Sequence, residues 1–289
     1  MPIISELARA KVNLTLAVHG RRNDGYHELE GLVTFAEIAD VVTINADAGD
    51  RLNITGPFAH CISGENLLTK TTALLRETDP RLRIGSIHLR KTLPVAAGLG
   101  GGSADAAALL RAARRANAEH ADRVPWLQIA ARLGADVPMC FCDRPAIVWG
   151  KGESIAPVRH LPAINAVLVN PRVPLATGTV FAALQSGPAP DAAAVPPRPE
   201  FSDLEGLLAY VRARGNHLED AACRLLPVIG EVKALLAAQP DCRFAAMSGS
   251  GPTCFGIFAV PASARRAAAT MAAAKPDWWI ERAVFAGAP

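Results

Sequence analysis

The residues best suited to chemistry lie in the stretch PVAAGLGGGSADAAALL, residues 94–110. It carries Gly98, Gly100, Gly101 and Gly102, then Ser103, directly ahead of an alanine-rich run that is typical of a helix. Glycine adopts positive φ at little cost and has no side chain to hold a ligand away, so backbone N–H groups can converge on an anion. A helix N-terminus adds unpaired N–H groups and partial positive charge. The stretch therefore predicts a loop that binds polyphosphate.

The pattern of this loop differs from two common phosphate loops. No lysine follows the glycines, as G-x-x-x-x-G-K-[ST] requires, and Ser103 stands where G-x-G-x-x-G has its third glycine. A dinucleotide-dependent oxidoreductase would also need an acidic residue about 20 positions on, a distance near which Glu119 and Asp122 lie. The ordinary alternative is a flexible turn ahead of a helix, with Ser103 capping the helix and Asp105 favouring its dipole.

Two further clusters carry candidate binding residues. MSGSGPTCFGIF places Gly249, Ser250 and Gly251 between strand-like segments, and ARAKVNLTLAV places Lys11 and Asn13 two residues apart. Alternate residues of a strand face the same side, so Lys11 and Asn13 would share a face. The alternatives are a tight turn for the first cluster and a solvated strand face for the second.

The strands and helices that would position these residues are interleaved along the chain. Alternating Val, Ile and Thr predict strands in KVNLTLAV, DVVTINA and GSIHLRKTL, and two strand-like pieces flank MSGSGPT. Helical spacing marks ENLLTKTTALLRE, residues 103–118, VPWLQIAARLG, HLEDAACRLLPVIGEVKALLAA and ASARRAAATMAAA. The proline-rich residues 186–202 predict a surface loop or connector, because proline fixes φ and removes a hydrogen-bond donor.

Composition limits the possible functions. The 289 residues are 50% hydrophobic and 20% charged with a net charge of +3, typical of a globular protein, and no basic run indicates nucleic acid. Charged residues, glycine and proline interrupt the apolar stretches, and charges near the N-terminus argue against a secretory signal. The six cysteines and seven histidines follow no metal or redox spacing. We expect a cytoplasmic protein with no metal site of its own and no nucleic-acid or membrane partner.

Three of these motifs together resemble the GHMP kinase superfamily, which includes galactokinase, homoserine kinase, mevalonate kinase and phosphomevalonate kinase. Its members have an AxAKxNL-like segment, a central PxxxGLGGGSA-like loop and a C-terminal Gly-Ser-Gly loop, in the order seen here. NDGYHELEGLV (23–33) and LGADVPMCF (133–141) resemble the members that act on 4-diphosphocytidyl-2-C-methyl-D-erythritol. The resemblance extends from around Ala8 to Phe258.

The resemblance implies a two-domain α+β fold of the GHMP kinase type. Its N-terminal domain would be like domain 2 of ribosomal protein S5, its C-terminal domain would be a ferredoxin-like α/β sandwich, and the active site would lie in the cleft between them. We expect the ATP-binding N-terminal domain at residues 1–158 and the C-terminal domain at residues 159–289. The protein would be a monomer or a weak homodimer.

The implied activity is ATP-dependent phosphorylation of the tertiary hydroxyl at position 2 of the methylerythritol moiety, a step of the non-mevalonate isoprenoid pathway. The products would be ADP and the 2-phosphate. By the same resemblance, the nucleotide phosphates would lie on the central loop, whose residues are Pro94, Val95, Ala96, Ala97, Gly98, Leu99, Gly100, Gly101, Gly102, Ser103 and Ala104.

The residues that would contact the small-molecule substrate also follow from the resemblance. Tyr26 and His27 look like a cytosine-recognising pair, with an aromatic face for the ring and a polar partner for its edge. Asn13, Thr177 and Phe181 are similar to other substrate contacts, and Phe181 would be a second wall of the base pocket. Stacking of a base on Tyr26 would give this aromatic residue a role beside the turn-like NDG.

Lys11 and Asp136 match the family residues at the reacting hydroxyl. Phosphoryl transfer depends mainly on positioning and charge stabilisation, but the hydroxyl must lose its proton, and Asp136 is the candidate base. Lys11 could make the hydroxyl more acidic, orient Asp136, or offset charge on the phosphoryl group. The alternative for Asp136 is a turn in which its side chain caps a helix or accepts hydrogen bonds from backbone N–H groups. Mg²⁺ is expected with the nucleotide, Ser103 could contribute a ligand, and Lys151 is interpreted as surface charge.

Other functions remain open at this point. A kinase for another small alcohol, such as homoserine or mevalonate, would share the loop, but NDGYHEL argues against it because those substrates have no base to stack. A nucleotide-sensing module without catalysis is a third possibility. The presence of both Lys11 and Asp136 counts against that possibility.

Overall fold

The structure is a computed structural model that describes residues 3–62, 64, 66–190 and 195–286. Its helices are α1 (Leu67–Thr78), α2 (Gly101–Ala116), α3 (Trp126–Leu133), α4 (Val137–Cys142), α5 (Thr177–Ala183), α6 (Leu204–Arg214), α7 (Glu219–Leu225), α8 (Val228–Ala237) and α9 (Pro261–Ala274). Its strands are β1 (Ile4–Asn13), β2 (Ala17–Arg21), β3 (His27–Asn45), β4 (Arg51–Thr55), β5 (Ser86–Arg90), β6 (Ala146–Gly150), β7 (Ser154–Pro157), β8 (Ile164–Asn170), β9 (Cys242–Met247), β10 (Cys254–Phe258) and β11 (Trp279–Ala286).

The chain forms two compact units, and each unit is assembled from separated stretches. The first unit comprises the described residues of Met1–Ala10, Ile38–Val95 and Gly100–Asp143. The second unit comprises the described residues of Lys11–Glu37, Ala96–Leu99 and Arg144–Pro289. Strands β1 and β3 therefore contribute residues to both units. The expected domain boundary between residues 158 and 159 stays a prediction.

In the first unit, helices pack around a central helix, α2, and strands pair beside them. The C-terminal part of β3 pairs with β5 in antiparallel register, with Val41 opposite Arg90, and β4 pairs in parallel with β5. Helix α2 contacts α1, α3 and α4. Its run of alanine and leucine, 106–110, is completely buried. Alanine favours the helix and allows its neighbours to approach closely on several sides, which explains why this helix lacks a polar face over much of its length.

In the second unit, four strands pair in the order β11, β8, β10 and β9, all antiparallel. The N-terminal part of β3 pairs with β2, β6 and β11. Helices α8 and α9 pack on the sheet, where Leu236 and Met271 join Val167, Val169 and Phe258 in one buried cluster. This apolar layer supports the strands that lead into the C-terminal Gly-Ser-Gly loop.

The α+β class and the helices and strands named from periodicity are confirmed, with one correction. KVNLTLAV is not one strand, because β1 ends at Asn13 and β2 begins at Ala17. The N–H groups of Leu14 and Thr15 both donate to Leu32 O, and that of Leu16 donates to Gly215 O, so the backbone turns away from regular pairing. The long strand β3 extends far beyond the predicted DVVTINA segment.

The proline-rich residues 186–202 form a connector, as expected. Within its described part there is no helix and only an isolated bridge at Pro188, and residues 191–194 lie outside the described residues. No helix in the described part of the chain is long and apolar enough to cross a membrane.

Candidate active site

A buried ion cluster holds the two ends of the glycine-rich loop. Both ends, residues 94–95 and residues 100–104, belong to the first unit. Lys91 Nζ donates to Asp40 Oδ2 at 2.6 Å and to Asp105 Oδ2 at 2.7 Å. Asp40 Oδ1 accepts from the N–H groups of Thr92 and Leu93, the latter at 2.8 Å, where the chain leads into the loop. Asp105 lies on α2, where the chain leaves the loop. The cluster thus ties the segment before the loop to the helix after it.

Burial decides the protonation of this cluster. Lys91 and its two partners are almost inaccessible to solvent. Burial raises the pKa of Asp105 to about 7, Lys91 opposes this rise, and the negative charge of Asp40 adds to it. Burial lowers the pKa of Lys91, but Asp105 and Asp40 more than offset it, so the lysine stays charged. Two carboxylates facing one cation leave a surplus negative charge, and Asp105 Oδ1 is buried without a hydrogen-bond partner among the described residues.

Helix α2 begins with a glycine rather than with a capping side chain. Gly100 is the N-cap with φ +62°, and no side chain caps the helix within the described residues. Ser103 is the third residue of α2, so the interpretation in which Ser103 caps the helix is wrong. Because the N–H groups of a first helical turn have no partner inside the helix, this N-terminus offers donors and positive dipole to an anion.

The middle of the glycine-rich loop, Ala96–Leu99, lies in the second unit against the C-terminal Gly-Ser-Gly loop. Thr253 N donates to Ala97 O at 3.2 Å, and Ser248 Oγ donates to Gly98 O at 3.1 Å. Gly98 has φ +73°, and a Cβ there would lie 2.6 Å from Ser248 O and 2.7 Å from Gly251 O. Glycine at this position therefore serves the close contact of two backbones, in addition to giving room for a ligand.

Lys11 and Asn13 join the same cluster of loops. Lys11 N donates to Leu99 O at 2.9 Å, and Asn13 N donates to Ser248 Oγ at 3.1 Å. Both residues are buried on β1 and are separated by one residue, in line with a shared face. The structure therefore brings together all three motifs that carry the family resemblance. Ser248, which links two of them, was not identified from the sequence, since a serine in a small-residue loop gives no distinctive signal.

Asp136 lies in the first unit at the N-cap position of α4. Its side chain is half-buried and makes no capping hydrogen bond within the described residues, so capping α4 is not its role. Helix α4 is fixed from the opposite end, where Arg111 Nη1 donates to Cys140 O at 2.6 Å and Arg111 Nε lies 3.2 Å from Glu6 Oε2. The carboxylate of Asp136 is thus carried on a short, anchored helix.

Tyr26, His27, Thr177 and Phe181 line one cavity of about 470 Å³ in the second unit. The rings of His27 and Phe181 stack with their centroids 4.7 Å apart and an interplanar angle of 29°. Thr177 Oγ1 lies 2.8 Å from Ser250 Oγ, in hydrogen-bond contact. These contacts join the start of β3, helix α5 and the Gly-Ser-Gly loop, so residues distant in the sequence form one aromatic, partly polar wall.

The cavity is also lined by two cations, Arg21 and Lys151. Burial lowers the pKa of His27, and the nearby Arg21 lowers it further, so the imidazole is neutral at pH 7. Lys151 Nζ lies 5.1 Å from the centroid of the Tyr26 ring. Lys151 therefore belongs to the cavity, whereas the WGKGE turn alone indicated a surface charge. A turn sequence does not show which side chain it faces.

The candidate residues are distributed over the two units. The second unit contains Lys11, Asn13, Tyr26, His27, Ala96–Leu99, Thr177 and Phe181. The first unit contains Pro94, Val95, Gly100–Ala104 and Asp136. In the described part of the chain, no group of three or more His, Cys, Asp or Glu side chains is arranged to hold a metal ion.

Fold and loop arrangement together define a kinase of the GHMP class. The model of the GHMP kinases N-terminal domain matches residues 66–150, and that of the GHMP kinases C-terminal domain matches residues 198–277. The chain belongs to the GHMP kinase family, whose members are ATP-dependent phosphotransferases.

Individual relatives narrow the comparison. The 4-diphosphocytidyl-2-C-methyl-D-erythritol kinase of Rhodopseudomonas palustris is 47% identical over 94% of either chain. The enzyme of that name from Parvibaculum lavamentivorans is 45% identical over 98% of this chain and 99% of its own. A solved structure of 4-(cytidine 5'-diphospho)-2C-methyl-D-erythritol kinase superposes with a TM-score of 0.77 at 34% identity, covering 98% of this chain and 100% of that chain. Homoserine kinase from Cytophaga hutchinsonii, at 17% identity and a TM-score of 0.69 over 99% of this chain and 95% of its own, shares the fold.

Proposed function

We propose that the chain transfers the γ-phosphoryl group of ATP to the hydroxyl at position 2 of 4-diphosphocytidyl-2-C-methyl-D-erythritol, yielding the 2-phosphate and ADP. The observation that carries the proposal is the cavity of the second unit, in which Tyr26, His27, Thr177 and Phe181 meet. Aromatic walls with a neutral imidazole suit a nucleobase. Mevalonate and homoserine have no base to stack there.

The cavity binds the cytidyl part of the substrate. Cytosine stacks on an aromatic ring, an interaction of about 1–3 kcal/mol per base. Neutral His27 offers one donor and one acceptor, which suits the acceptor atoms and the amino group of the cytosine edge. Arg21 and Lys151 add positive charge to the cavity, which favours a substrate that carries a diphosphate.

The loop Pro94–Ala104 binds the phosphates of ATP. The left-handed backbone at Gly98 and Gly100 and the unpaired N–H groups of the first turn of α2 support this role. The buried cluster of Asp40, Lys91 and Asp105 keeps both ends of the loop in place, so that little ordering is needed when the nucleotide binds.

Asp136 and Lys11 act at the reacting hydroxyl. The Asp136 carboxylate accepts the hydroxyl proton while the hydroxyl oxygen forms a bond to the γ-phosphorus and the bond between that phosphorus and the ADP oxygen breaks. Lys11 supplies positive charge at the reacting centre. The anchoring of α4 by Arg111, which donates to Cys140 O and lies beside Glu6, supports the assignment of the base.

Mg²⁺ accompanies the nucleotide in this proposal. The first turn of α2 offers the hydroxyl of Ser103 rather than a cage of carboxylates, and this donor fits a cation held mainly by phosphates and water. When bound, the cation neutralises charge on the β- and γ-phosphates. We place the reaction in the cytoplasm, because ATP and a nucleotide-linked alcohol are charged metabolites that do not cross membranes unaided.

The proposal is tested with purified protein, Mg·ATP and a panel of alcohols. ADP release is followed with the cytidyl substrate, homoserine and mevalonate, and the position of the new phosphate is read by ³¹P NMR. We expect ADP and the 2-phosphate with the cytidyl substrate alone. Turnover of homoserine or mevalonate, with none above background for the cytidyl substrate, would overturn the proposal.

A further inference from the structure

A short segment after α5 is fastened to β2 beside the base cavity. We call this segment, Gln185–Ala189, the strap. Arg21 N donates to Gly187 O at 2.7 Å, and Ala189 N donates to Arg21 O at 2.8 Å. The two bonds make a parallel bridge between Arg21 and Pro188. A segment whose composition predicts a surface loop or connector therefore also pairs with β2 through this one bridge.

The strap approaches β2 so closely that a side chain at residue 20 would not fit. Gly20 has φ +144°, and a Cβ there would lie 2.5 Å from Pro188 O and 2.6 Å from Ala189 Cα. Both of these atoms belong to the backbone and cannot move aside as a flexible side chain would. The strap can therefore lie this close to β2 only because residue 20 is a glycine.

The strap closes a ring of contacts around the cavity. Arg21 pairs with His27 across β2 and β3, and the His27 ring stacks on Phe181 of α5. Helix α5 ends at Ala183, and Gln185, with φ +51°, turns the chain into the strap, which returns to Arg21. Since Arg21, His27, Phe181 and Gln185 all line the cavity, the cavity cannot widen on this side unless a backbone pair or the ring stack breaks.

We propose that the strap is a specificity-determining wall of the base cavity, which holds the cavity at a width that accepts a pyrimidine nucleotide and disfavours a purine nucleotide. The proposal rests on the proposed function and identifies a second element of the same site. The strap acts through its backbone pairing with Arg21. Loosening this pairing lowers the affinity for the cytidyl group and reduces the discrimination against a larger base, while ATP binding is unaffected.

The pairing is best removed with Ala189→Pro, which deletes the N–H that donates to Arg21 O. Residue 189 is half-buried in a surface segment, so the fold is expected to persist. The matched control is Ala163→Pro, at an exposed residue outside strands and helices whose N–H has no backbone partner in the described part of the chain. Gly20→Ala, which pushes the strap away, is the second variant, with exposed Gly230→Ala as its control.

The experiment measures KM and kcat for the cytidyl substrate, for its guanosine analogue and for ATP, together with thermal unfolding. Loss of a backbone hydrogen bond predicts a rise of about tenfold in the KM for the cytidyl substrate in Ala189→Pro. The preference for the cytidyl substrate over the guanosine analogue should shrink by a similar factor. The KM for ATP and the unfolding temperature should match those of Ala163→Pro.

CDP affinity, measured by titration calorimetry, provides a readout that does not depend on turnover. Weaker CDP binding by Ala189→Pro than by Ala163→Pro supports the strap proposal. Equal CDP affinity and an unchanged preference between the two substrates overturn it. If the parent protein binds CDP but releases no ADP with the cytidyl substrate, the proposed function fails, and the calorimetry still decides the role of the strap.

Discussion

Both units place a lysine beside candidate binding residues, but the surroundings of the two lysines differ. Lys91 of the first unit is 2% exposed and bonded to Asp40 and Asp105. Lys151 of the second unit lines an open cavity near the ring of Tyr26, which is 57% exposed. A buried charge is stable only with its partners, whereas a solvated charge is available to a ligand. The first arrangement fixes a loop, and we propose that the second attracts the substrate.

Under the proposed function, the candidate general base Asp136 lies in the first unit, and the cavity for the base of the substrate lies in the second. Asp136→Asn is the strongest test of this division, because it removes the basic carboxylate at nearly constant volume. We expect kcat to fall by about 10²- to 10⁴-fold, the usual contribution of a general base, with the KM for both substrates little changed. Exposed Asp122→Asn is the control. Turnover within a few-fold of the parent would remove Asp136 from the role of base.

Replacing each of the two lysines with methionine tests how differently their charges contribute to stability. Lys91→Met leaves two buried carboxylates without their cation and should lower the free energy of unfolding by about 3–5 kcal/mol. Lys151→Met should change it by less than about 1 kcal/mol, because this charge is partly solvated. Urea unfolding followed by circular dichroism measures both values. Equal losses of stability would contradict the comparison.

A truncation in the second region should affect one substrate only. Tyr26→Ala removes a stacking surface from the cavity, so the KM for the cytidyl substrate should rise by about tenfold while that for ATP stays nearly constant. Tyr26→Phe keeps the ring and should resemble the parent. Similar rises in both KM values would indicate a general folding defect instead.

A further prediction concerns the pH dependence of the buried cluster. The pKa of Asp105 is raised from 3.8 to about 7, so the folded protein holds a proton that the unfolded chain releases between these values. The contribution of Asp105 to stability therefore falls as pH rises from about 4 to about 7, by at most about 1.4 kcal/mol per pH unit. Asp105→Asn cannot release this proton.

This effect is measured by urea unfolding of the parent and of Asp105→Asn at several pH values between 4 and 8. The variant should gain stability relative to the parent as pH rises. A difference in unfolding free energy that does not change with pH would show that Asp105 is ionised throughout.

Local patterns in the sequence were sufficient to predict many of the helices and strands. The helical spacing of ENLLTKTTALLRE and ASARRAAATMAAA and the alternation of GSIHLRKTL correspond to α1, α9 and β5. Irregular pairing was not predictable, because the break after Asn13 depends on the distant acceptors Leu32 O and Gly215 O. For the same reason the bridge at Pro188 could not be found, since a parallel bridge leaves no periodicity in a proline-rich segment.

The sequence by itself determined the family, the glycine-rich loop motif and the candidate residues, because these depend on residue types in a fixed order. Tertiary structure alone decided which of them meet. It placed Phe181 against His27, Gly98 against Ser248 and Lys151 beside Tyr26, and it buried Lys91 between two carboxylates. Such contacts join residues far apart in the chain, and charge, burial and protonation depend on those neighbours rather than on local sequence.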